Sequence, residues 1–385
     1  MPLPDYHGGS IANLMTSLIA ALGGEPSRYP ELRELEPSKL QSRNIVLLII
    51  DGLGHDCLMR YGNGEALRRH LKARITSVFP ASTATAITTF LTGTAVQQHA
   101  LTGWHMYFRE VGSIIDVLPF RPRYGGPALS ESGITAAALF DHAPVFTRIR
   151  ARSYVVAPER IIHSDFNVAH GGGAERRSYT TLGQMFHVTA GILRENPERK
   201  YIHVYWPGLD RLAHEFGIGS REAVAHVSEI DAAFGEFLRR IQGSDTTVVA
   251  TADHGFIDTQ PDQTVELEAH PELARMLILP LCGERRAAYC YVEPDQRTRF
   301  EDYVATHLAA YADLFESEWL IESGYFGLGP AHPRLHERVG HYALVMKHNA
   351  VIKDWLLGER RHVQIGVHGG ISEQEMYVPL IVAAV

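Results

Sequence analysis

The feature that most constrains this chain is a repeated alternation of short apolar runs with longer amphipathic segments. The runs occupy residues 44–50 (NIVLLII), 135–140, 201–205, 246–251 and 378–382. Short continuous apolar runs are typical of strands that are buried on both faces of a parallel sheet, and the amphipathic segments between them supply the connecting helices. The pattern therefore predicts an α/β fold with a mostly parallel central sheet and helices on both of its faces.

The helices are predicted from apolar residues that recur at helical spacing. They cover residues 84–91, 182–195 and 221–241. The N-terminal segment lacks the basic region of a secretory signal, and Ile11, Leu14, Leu18 and Leu22 favour an amphipathic helix there. Residues 164–177 (SDFNVAHGGGAERR) are interpreted as a mobile polar loop, either a lid or a simple connection.

The length of the chain favours one large domain with an insertion, or two domains. Its 385 residues exceed the roughly 250–300 residues at which a single core stops growing. The pattern changes between about residues 259 and 345, where LARMLILPL and AAYCYVEP precede a helical stretch. We expect a single catalytic domain over residues 1–385, with a small inserted α+β cap subdomain at about 259–345.

Charge and composition exclude several classes of partner. A net charge of -8 supplies no basic field for a long nucleic acid, although a small phosphorylated substrate remains compatible. No apolar stretch approaches the roughly 18 residues that span a membrane. The odd set of Cys57, Cys282 and Cys290 has no metal-ligand or redox spacing, which favours a reducing compartment, the cytoplasm. The oligomeric state stays open.

Aspartate and histidine follow four of the predicted strands. They are Asp51 after residues 44–50, Asp210 and His214 after 201–205, Asp253 and His254 after 246–251, and His368 after 365–367. Each alone has an ordinary explanation, since Asp-Gly after a strand is usually a turn. Functional residues of open parallel sheets gather at the carboxyl ends of strands. Together, three carboxylates and three imidazoles are sufficient ligands for two divalent cations.

A candidate nucleophile lies in residues 76–93 (TSVFPASTATAITTFLTG), where a proline-containing loop enters a helix of small residues. Ser82 or Thr83 would sit at the helix N-terminus, where free N–H groups and the positive dipole end favour a phosphate and an ionised alkoxide. The alternative is purely structural, with Ser82 as the N-cap and Thr83 as the first helical residue.

These segments resemble the type I phosphodiesterase / nucleotide pyrophosphatase branch of the alkaline phosphatase superfamily. The resemblance lies in Phe79-Pro80 before Thr83 and Thr92-Gly93 after it, and in Asp51-Gly52, Asp210-x-x-x-His214, Asp253-His254-Gly255 and His368-Gly369, in the family's order. It covers residues from about 44 to 258 and from 362 to the end. It implies an alkaline-phosphatase-like fold.

The resemblance also implies the roles of the individual residues. Asp210, His214 and His368 are expected to hold one ion, and Asp51, Asp253 and His254 the other, with the Thr83 oxygen bound to the second. The family's usual metal is zinc, while the ligand types alone also admit manganese. In the implied reaction Thr83 attacks phosphorus in line, and water then hydrolyses the covalent phosphothreonine.

The identity of the nucleophile restricts which enzyme class of the superfamily the chain resembles. The sulfatases that resemble this superfamily use a cysteine-derived nucleophile, and no cysteine lies near Thr83. The threonine in FPAST favours a phosphodiesterase or nucleotide pyrophosphatase. Two alternatives stay open: a phosphonate hydrolase or phosphomonoesterase on the same site, and a catalytically silent, metal-stabilised binding protein.

One departure from the family bears on the substrate. Nucleotide-cleaving relatives carry an asparagine that binds a phosphate oxygen, whereas Trp104 stands at that place in HALTGWHMYFRE. His105, Tyr107 or Arg109 would have to replace its hydrogen bond, or these residues form an aromatic cluster with Phe108. Nucleotides are therefore not assumed as substrates.

Other polar and aromatic residues are weaker candidates. Tyr205 and Trp206, next to Asp210 in sequence, are expected to pack the wall of the site. His142 is interpreted as a structural histidine and His55 is left outside the ligand set. Asp231 has no evident partner in the sequence and is interpreted as a solvated or helix-packing charge.

Overall fold

The computed structural model of the protein describes residues 3–25, 27–62, 64–359 and 361–385. The strands are β1 (Asn44–Ile50), β2 (Leu71–Thr76), β3 (His105–Phe108), β4 (Ser113–Asp116), β5 (Arg121–Pro122), β6 (Arg152–Pro158), β7 (Glu175–Tyr179), β8 (Lys200–Trp206), β9 (Thr246–Thr251), β10 (Ile257–Asp258), β11 (Thr264–Glu266), β12 (Cys282–Gly283), β13 (Ala287–Cys290), β14 (Ala312–Glu316), β15 (Tyr342–Met346), β16 (Val351–Lys353), β17 (Gly366–Val367) and β18 (Tyr377–Ala384).

The helices lie between these strands. They are α1 (Ile11–Ala21), α2 (His55–Tyr61), α3 (Ala66–Arg69), α4 (Thr83–Thr92), α5 (Val96–His99), α6 (Ala136–Phe140), α7 (Asp165–His170), α8 (Leu182–Glu195), α9 (Gly208–Phe216), α10 (Arg221–Arg240), α11 (Pro271–Arg275), α12 (Arg297–Tyr303), α13 (Ser317–Glu322), α14 (Leu335–Arg338) and α15 (Glu373–Met376). A π-helical turn, Val304–Leu308, continues α12.

The central sheet has seven strands in the order β2-β18-β9-β1-β8-β6-β7. Strand β18 runs antiparallel to both of its neighbours, and the pairs among β9, β1, β8, β6 and β7 are parallel. Every residue of β1 is buried, as a strand at the centre of a covered sheet requires. The predicted α/β fold with a mostly parallel central sheet is confirmed.

Four of the five predicted strands are confirmed as β1, β8, β9 and β18. The prediction for residues 135–140 is wrong, because Ala136–Phe140 is helix α6. Its buried residues Ala136, Leu139 and Phe140 follow helical spacing. In so short an apolar run, periodicity alone does not separate a helix from a strand.

The prediction of a polar loop at residues 164–177 holds for the glycines, which connect α7 to β7, and is wrong for the residues on either side. Ser164 caps helix α7 by accepting a hydrogen bond from the Asn167 N–H, and Glu175–Tyr179 forms strand β7. Strand β7 is the edge of the central sheet, where polar side chains reach solvent on the open side. The polar residues of β7 therefore led to the wrong prediction of a loop.

The predicted helices are present as α4, α8, α10 and the N-terminal α1. Helix α1 is buried on all sides from Ile11 to Ile19, so its polar side chains need partners inside the protein. Asn13 meets this need: its carbonyl oxygen accepts from the Ser10 N–H, and its amide donates to the Tyr6 and Pro30 carbonyls.

A second seven-stranded sheet has the order β14-β15-β13-β12-β3-β4-β5. Strands β12 to β14 and all but the last residue of β15 lie within residues 259–345, whereas β3 to β5 come from residues 105–122. Gly283 of β12 pairs with His105 of β3, which joins the two parts. The division into a single domain of residues 1–385 and a cap subdomain of 259–345 stays a prediction. Of that range, Met1, Pro2, Pro26, Asn63 and Arg360 lie outside the described residues.

Asp231 on α10 is buried and stabilises the start of α3. Its carboxylate accepts hydrogen bonds from the Leu67 N–H at 2.8 Å and the Ala66 N–H at 3.3 Å. A Cβ on Gly64 would lie 1.9 Å from the Asp231 Oδ2, so only glycine fits there without displacement. Asp231 therefore packs two helices together and is not a solvated charge.

We predict that Asp231→Ala lowers the free energy of unfolding by about 1–2 kcal/mol, because it leaves two helix-terminal N–H groups without an acceptor. Urea denaturation provides the measurement. The control is Glu236→Ala, at an exposed position on the same helix, which should change stability by less than about 0.5 kcal/mol. Equal losses in the two variants would contradict the capping role.

Candidate metal centre and substrate cavity

The strand ends of the central sheet bring the predicted ligands to one edge. Asp51 follows β1, and the neighbouring β9 leads into Asp253. Strand β8, on the other side of β1, leads into α9, where Asp210 and His214 are one helical turn apart. His368 reaches the same edge because β17 pairs with β10, just after Asp253 in the chain. All of these positions lie at the carboxyl edge, as predicted.

The first group consists of Asp51, Asp253 and His254. One ligand atom from each lies within 4.8 Å of the other two. The His254 Nε2 is 3.4 Å from an oxygen of Asp51 and 3.4 Å from an oxygen of Asp253. The Thr83 Oγ1 lies 3.1 Å from the same nitrogen. The structure thus places the proposed nucleophile at the first group.

The second group gathers around Asp210. The Nε2 of His214 lies 3.3 Å from the Asp210 Oδ1 and 3.2 Å from the His368 Nε2. His254 also reaches this group, since Asp210, His254 and His368 have ligand atoms within 4.8 Å of one another. The rings of His254 and His368 stack with centroids 3.6 Å apart. His254 therefore lies between the two groups.

Three carboxylate oxygens in these groups fit a cation. Asp51 Oδ1, Asp210 Oδ1 and Asp253 Oδ2 are buried and have no hydrogen-bond partner among the described residues. The remaining oxygens are engaged: Tyr205 donates its hydroxyl to Asp51 Oδ2, and the Gly52 and His254 N–H groups donate to Asp253 Oδ1. Buried carboxylates without compensation are costly. The donor set matches divalent metal ions that accept oxygen and nitrogen ligands.

The three histidines are oriented as metal ligands usually are. The Nδ1–H of His214 donates to the Gly366 carbonyl at 2.9 Å, and that of His254 donates to its neighbour's carbonyl at 3.1 Å. The Nδ1–H of His368 donates to the Ala81 carbonyl at 3.3 Å. Because Nδ1 carries the hydrogen, each Nε2 keeps its lone pair directed into the centre.

Without a cation, burial disfavours charge on Asp51 and His368, whereas the attraction between Asp210 and His214 outweighs burial, lowering the pKa of Asp210 and raising that of His214. Burial raises the pKa of Asp51, and the carboxylates of Asp210 and Asp253 raise it further. Burial lowers the pKa of His368, and the neighbouring His254 imidazole adds to that effect. A bound cation would favour the ionised carboxylate and the neutral imidazole, which are the ligand forms.

Thr83 is the first residue of α4, and Ser82 occupies the N-cap position. The Ser82 side chain makes no capping hydrogen bond and instead donates its hydroxyl to Glu284 Oε1. The first N–H groups of α4 therefore stay available beside Thr83, where the positive helix end favours an anion. This geometry argues against a purely structural Ser82-Thr83 pair.

A cavity of about 630 Å³ opens from this centre. Of the predicted substrate contacts, Trp104 and His105 line it. Tyr205 lies behind Asp51, to which it donates its hydroxyl. Tyr107 packs edge-on against Tyr291, the residue that follows β13, and does not line the cavity.

The remaining candidates lie outside the cavity. Arg109 forms an exposed ion pair with Glu337 at 2.8 Å. Trp206 donates its indole N–H to His226 at 3.0 Å. His142 Nε2 lies 2.6 Å from His170 Nε2, and its ring stacks on Phe140, which fits a structural histidine. His55 begins α2 and is absent from the two ligand groups.

Two cavity residues, Glu284 and Arg285, were not predicted from the sequence. Both lie in the turn between β12 and β13. Glu284 Oε1 accepts the Trp104 N–H at 2.8 Å as well as the Ser82 hydroxyl. Glu284 follows Ser82 by 202 residues in the sequence, and no strand-end motif marks this turn. Burial raises the pKa of Glu284 to about 7.

We predict that Glu284→Gln stabilises the metal-free protein at alkaline pH. The carboxyl pKa rises on folding from 4.5 to about 7, so the folded chain retains a proton in this range and loses stability as the pH rises through it. Glutamine keeps the acceptor oxygen without the charge. At pH 8 the variant should gain on the order of 1–2 kcal/mol, with part of the side chain facing solvent.

Urea denaturation in the presence of a chelator, between pH 5 and pH 8, measures this effect. The gain should shrink toward pH 5, where the parent carboxyl is protonated. The control is Glu272→Gln, at an exposed carboxylate paired with Arg299. A difference between parent and Glu284→Gln that does not change with pH would rule out titration of Glu284 in this range.

A family model matches most of the chain. The family model described as type I phosphodiesterase / nucleotide pyrophosphatase matches residues 45–369. No curated protein matches the chain. Among the described residues, no helix has the length and apolar character needed to cross a membrane.

Two solved structures share the fold at low sequence identity. Murine ectonucleotide pyrophosphatase / phosphodiesterase 5 has a TM-score of 0.64 and 14% identity over 87% of each chain. An inactive variant of that protein is described in complex with AMP. Phosphonoacetate hydrolase from Sinorhizobium meliloti 1021, in complex with phosphonoformate, has a TM-score of 0.63 and 18% identity over 89% of this chain and 90% of its own.

Proposed function

The chain belongs to the type I phosphodiesterase / nucleotide pyrophosphatase family and is a hydrolase of phosphoester bonds, and we propose that it works through two divalent metal ions and a covalent phosphothreonine at Thr83. One observation carries the proposal. Three buried carboxylate oxygens, which have no partners among the described residues, lie around one centre. The Thr83 hydroxyl lies beside this centre. Such oxygens call for cations, and the nearby hydroxyl supplies a nucleophile.

The ligands divide into two sets. Asp51, Asp253 and His254 would hold one ion beside Thr83. Asp210, His214 and His368 would hold the other, and the His254 Nε2 is close enough to contact this set as well.

When bound, the ions would lower the pKa of the hydroxyl and stabilise negative charge on the phosphoryl oxygens. Zinc and manganese both accept this mixed oxygen and nitrogen donor set.

The protein's own residues position the reacting groups. Tyr205 fixes one oxygen of Asp51, and two backbone N–H groups fix one oxygen of Asp253. The other oxygen of each lies 3.4 Å from the His254 Nε2, the nitrogen that Thr83 also contacts. The N-terminus of α4 favours negative charge on the phosphoryl group and on the Thr83 oxygen. In the first step the Thr83 oxygen forms a bond to phosphorus and the ester oxygen leaves with its substituent, taking up a proton. Water then cleaves the bond between the Thr83 oxygen and phosphorus, which releases phosphate or a phosphate monoester and regenerates the Thr83 hydroxyl.

The cavity favours a phosphodiester or phosphoanhydride over a simple phosphomonoester. A diester carries a second substituent on phosphorus, and the space of about 630 Å³ extends well beyond the ligand residues. A phosphonate hydrolase is the second candidate, because a phosphonoacetate hydrolase shares the fold. The complete ligand set beside Thr83 argues against a catalytically silent binding protein.

The cysteines support a reducing compartment, and we propose the cytoplasm. Cys57, Cys282 and Cys290 are all buried and free. Burial raises the pKa of each thiol, which disfavours the reactive thiolate. None of the three contributes to the ligand groups.

We predict that Thr83→Ala lowers kcat by about a thousandfold or more, because the variant lacks the nucleophile. Both ions should remain bound, as elemental analysis will show. Acid quenching of the parent enzyme during turnover, followed by mass spectrometry, should find phosphate on Thr83.

The matched control is Thr88→Ala on the same helix. Thr88 is also buried, but its hydroxyl donates only to the Ala84 carbonyl at 2.6 Å, so its removal should leave most of the activity. Full activity in Thr83→Ala would remove Thr83 as the nucleophile. A large loss of activity accompanied by loss of the ions would instead assign it a purely ligand role.

We predict higher kcat/KM for bis-p-nitrophenyl phosphate than for p-nitrophenyl phosphate, because the cavity accommodates a second substituent on phosphorus. Release of p-nitrophenol from the metal-loaded enzyme measures both reactions. Turnover of the monoester alone would overturn the diesterase assignment and favour a phosphomonoesterase on the same site.

A further inference from the structure

One cation in the cavity wall differs from the others in its partners. Arg285 lines the same cavity as Thr83, Asp210 and His368. Among the residues that the structure describes, no carboxylate oxygen lies within 4.0 Å of its guanidinium nitrogens. Arginine stays protonated at any ordinary pH, so the cavity contains a positive charge without a bound counter-ion.

Neutral groups hold the Arg285 side chain in place. Its Nη1 donates to the Gln364 Oε1 at 2.5 Å, and its Nη2 donates to the His362 Nε2 at 3.1 Å. The guanidinium lies over the Trp355 ring, 5.5 Å from the ring centroid. These contacts orient the guanidinium without an ion pair, although the carboxylates of Glu284, Glu266 and Glu359 are near enough to attract it. Two of its five N–H donors are used in this way, and three remain for a ligand.

The other cations of the cavity wall are paired with carboxylates. Arg123 binds Asp354 at 2.7 Å and Glu359 at 2.9 Å, Arg121 lies 3.6 Å from Asp116, and Lys353 lies 3.2 Å from Glu266. Glu284, the neighbour of Arg285 in sequence, directs its carboxyl group to Ser82 and the Trp104 N–H. Arg285 is therefore the cation that remains available to an incoming anion.

The backbone that carries Arg285 is fixed on both sides. The Glu284 N–H donates to the Ala287 carbonyl at 2.9 Å, and the Ile352 N–H donates to the Arg285 carbonyl at 2.9 Å. The next residue, Arg286, forms a fully buried ion pair with Glu375 at 2.8 Å. A cation on such a turn is placed before the ligand arrives, which reduces the ordering cost of binding.

We propose that Arg285 binds a second anionic group of the substrate, a carboxylate or a phosphate, while the phosphoryl group under attack lies at Thr83. The substrate class is then a small phosphoester or phosphonate with a second negative charge elsewhere in the molecule. The fork of N–H groups on a guanidinium matches both kinds of anion through paired hydrogen bonds. This inference rests on the proposed function for the position of the reacting phosphoryl group.

A pair of non-hydrolysable ligands tests the inference by binding alone. Methylphosphonate carries one anionic group and methylenediphosphonate carries two. Isothermal titration calorimetry on the metal-loaded protein should show at least about tenfold tighter binding of methylenediphosphonate, since hydrogen bonds to charged groups contribute that much. In Arg285→Gln the preference should disappear, and the affinity for methylphosphonate should stay within about twofold.

A third ligand separates the two sources of the second anion. 3-Phosphonopropionate carries a carboxylate in place of the second phosphonate. A preference for it that depends on Arg285 would assign a carboxylate, whereas a preference limited to methylenediphosphonate would assign a phosphate.

Two further variants complete the test, a control at Arg299 and a more conservative substitution of Arg285. Arg299→Gln removes an exposed guanidinium that pairs with Glu272, and it should alter neither affinity. If Arg285→Gln does not fold, Arg285→Lys keeps the charge but not the fork, and it should lose most of the preference. An unchanged preference in the variant that folds, or an equal loss of affinity for all three ligands, would overturn the inference.

Failure of the proposed function would be seen in a different measurement. If the parent enzyme turns over neither bis-p-nitrophenyl phosphate nor p-nitrophenyl phosphate, the proposed function is wrong. If the parent enzyme turns over these substrates but shows no preference for methylenediphosphonate, or a preference that Arg285→Gln leaves unchanged, only the second anion site is rejected.

Discussion

The mutual repulsion of three buried carboxylates is the constraint on which the rest of the site depends. Asp51, Asp210 and Asp253 converge at the carboxyl edge of the sheet, and one oxygen of each has no partner among the described residues. Placing them together is unfavourable unless cations offset their charge. The surrounding groups fit this constraint. Hydroxyl and N–H donors bind the carboxylate oxygens that point away from the centre, and backbone carbonyls accept the Nδ1–H of each imidazole.

A buried ion pair connects this centre to the second sheet. Glu375 binds Arg286 at 2.8 Å and accepts the Gly370 N–H at 2.8 Å, while its carbonyl accepts the Gly255 N–H. The glycines lie next to the ligand segments at His254 and His368. Through Glu375, the turn that carries Glu284 and Arg285 is therefore fixed relative to the ligands, so the two sheets define one cavity.

The fold was largely predictable because buried parallel strands produce a strong local pattern. Strand β1 is apolar from Ile45 to Ile50, and its neighbours β8 and β9 are buried over most of their length. The two wrong assignments, at α6 and β7, lie where the local sequence pattern is weak or misleading. Helix α6 is too short for its periodicity to show, and strand β7 is polar because it lies at the sheet edge. In both places the position in the tertiary structure outweighs the local sequence signal.

The sequence by itself determined the types and the order of the candidate metal ligands and the segment that contains Thr83. This was possible because in a parallel sheet the residue that follows a strand lies at a known edge, so local order in the chain becomes position in space. Only the tertiary structure decided that His254 lies between the two ligand groups, that Tyr107 and Arg109 face away from the cavity, and that Glu284 and Arg285 line it. These positions depend on how the second sheet packs against the first, and packing between distant segments leaves no periodic mark in the sequence.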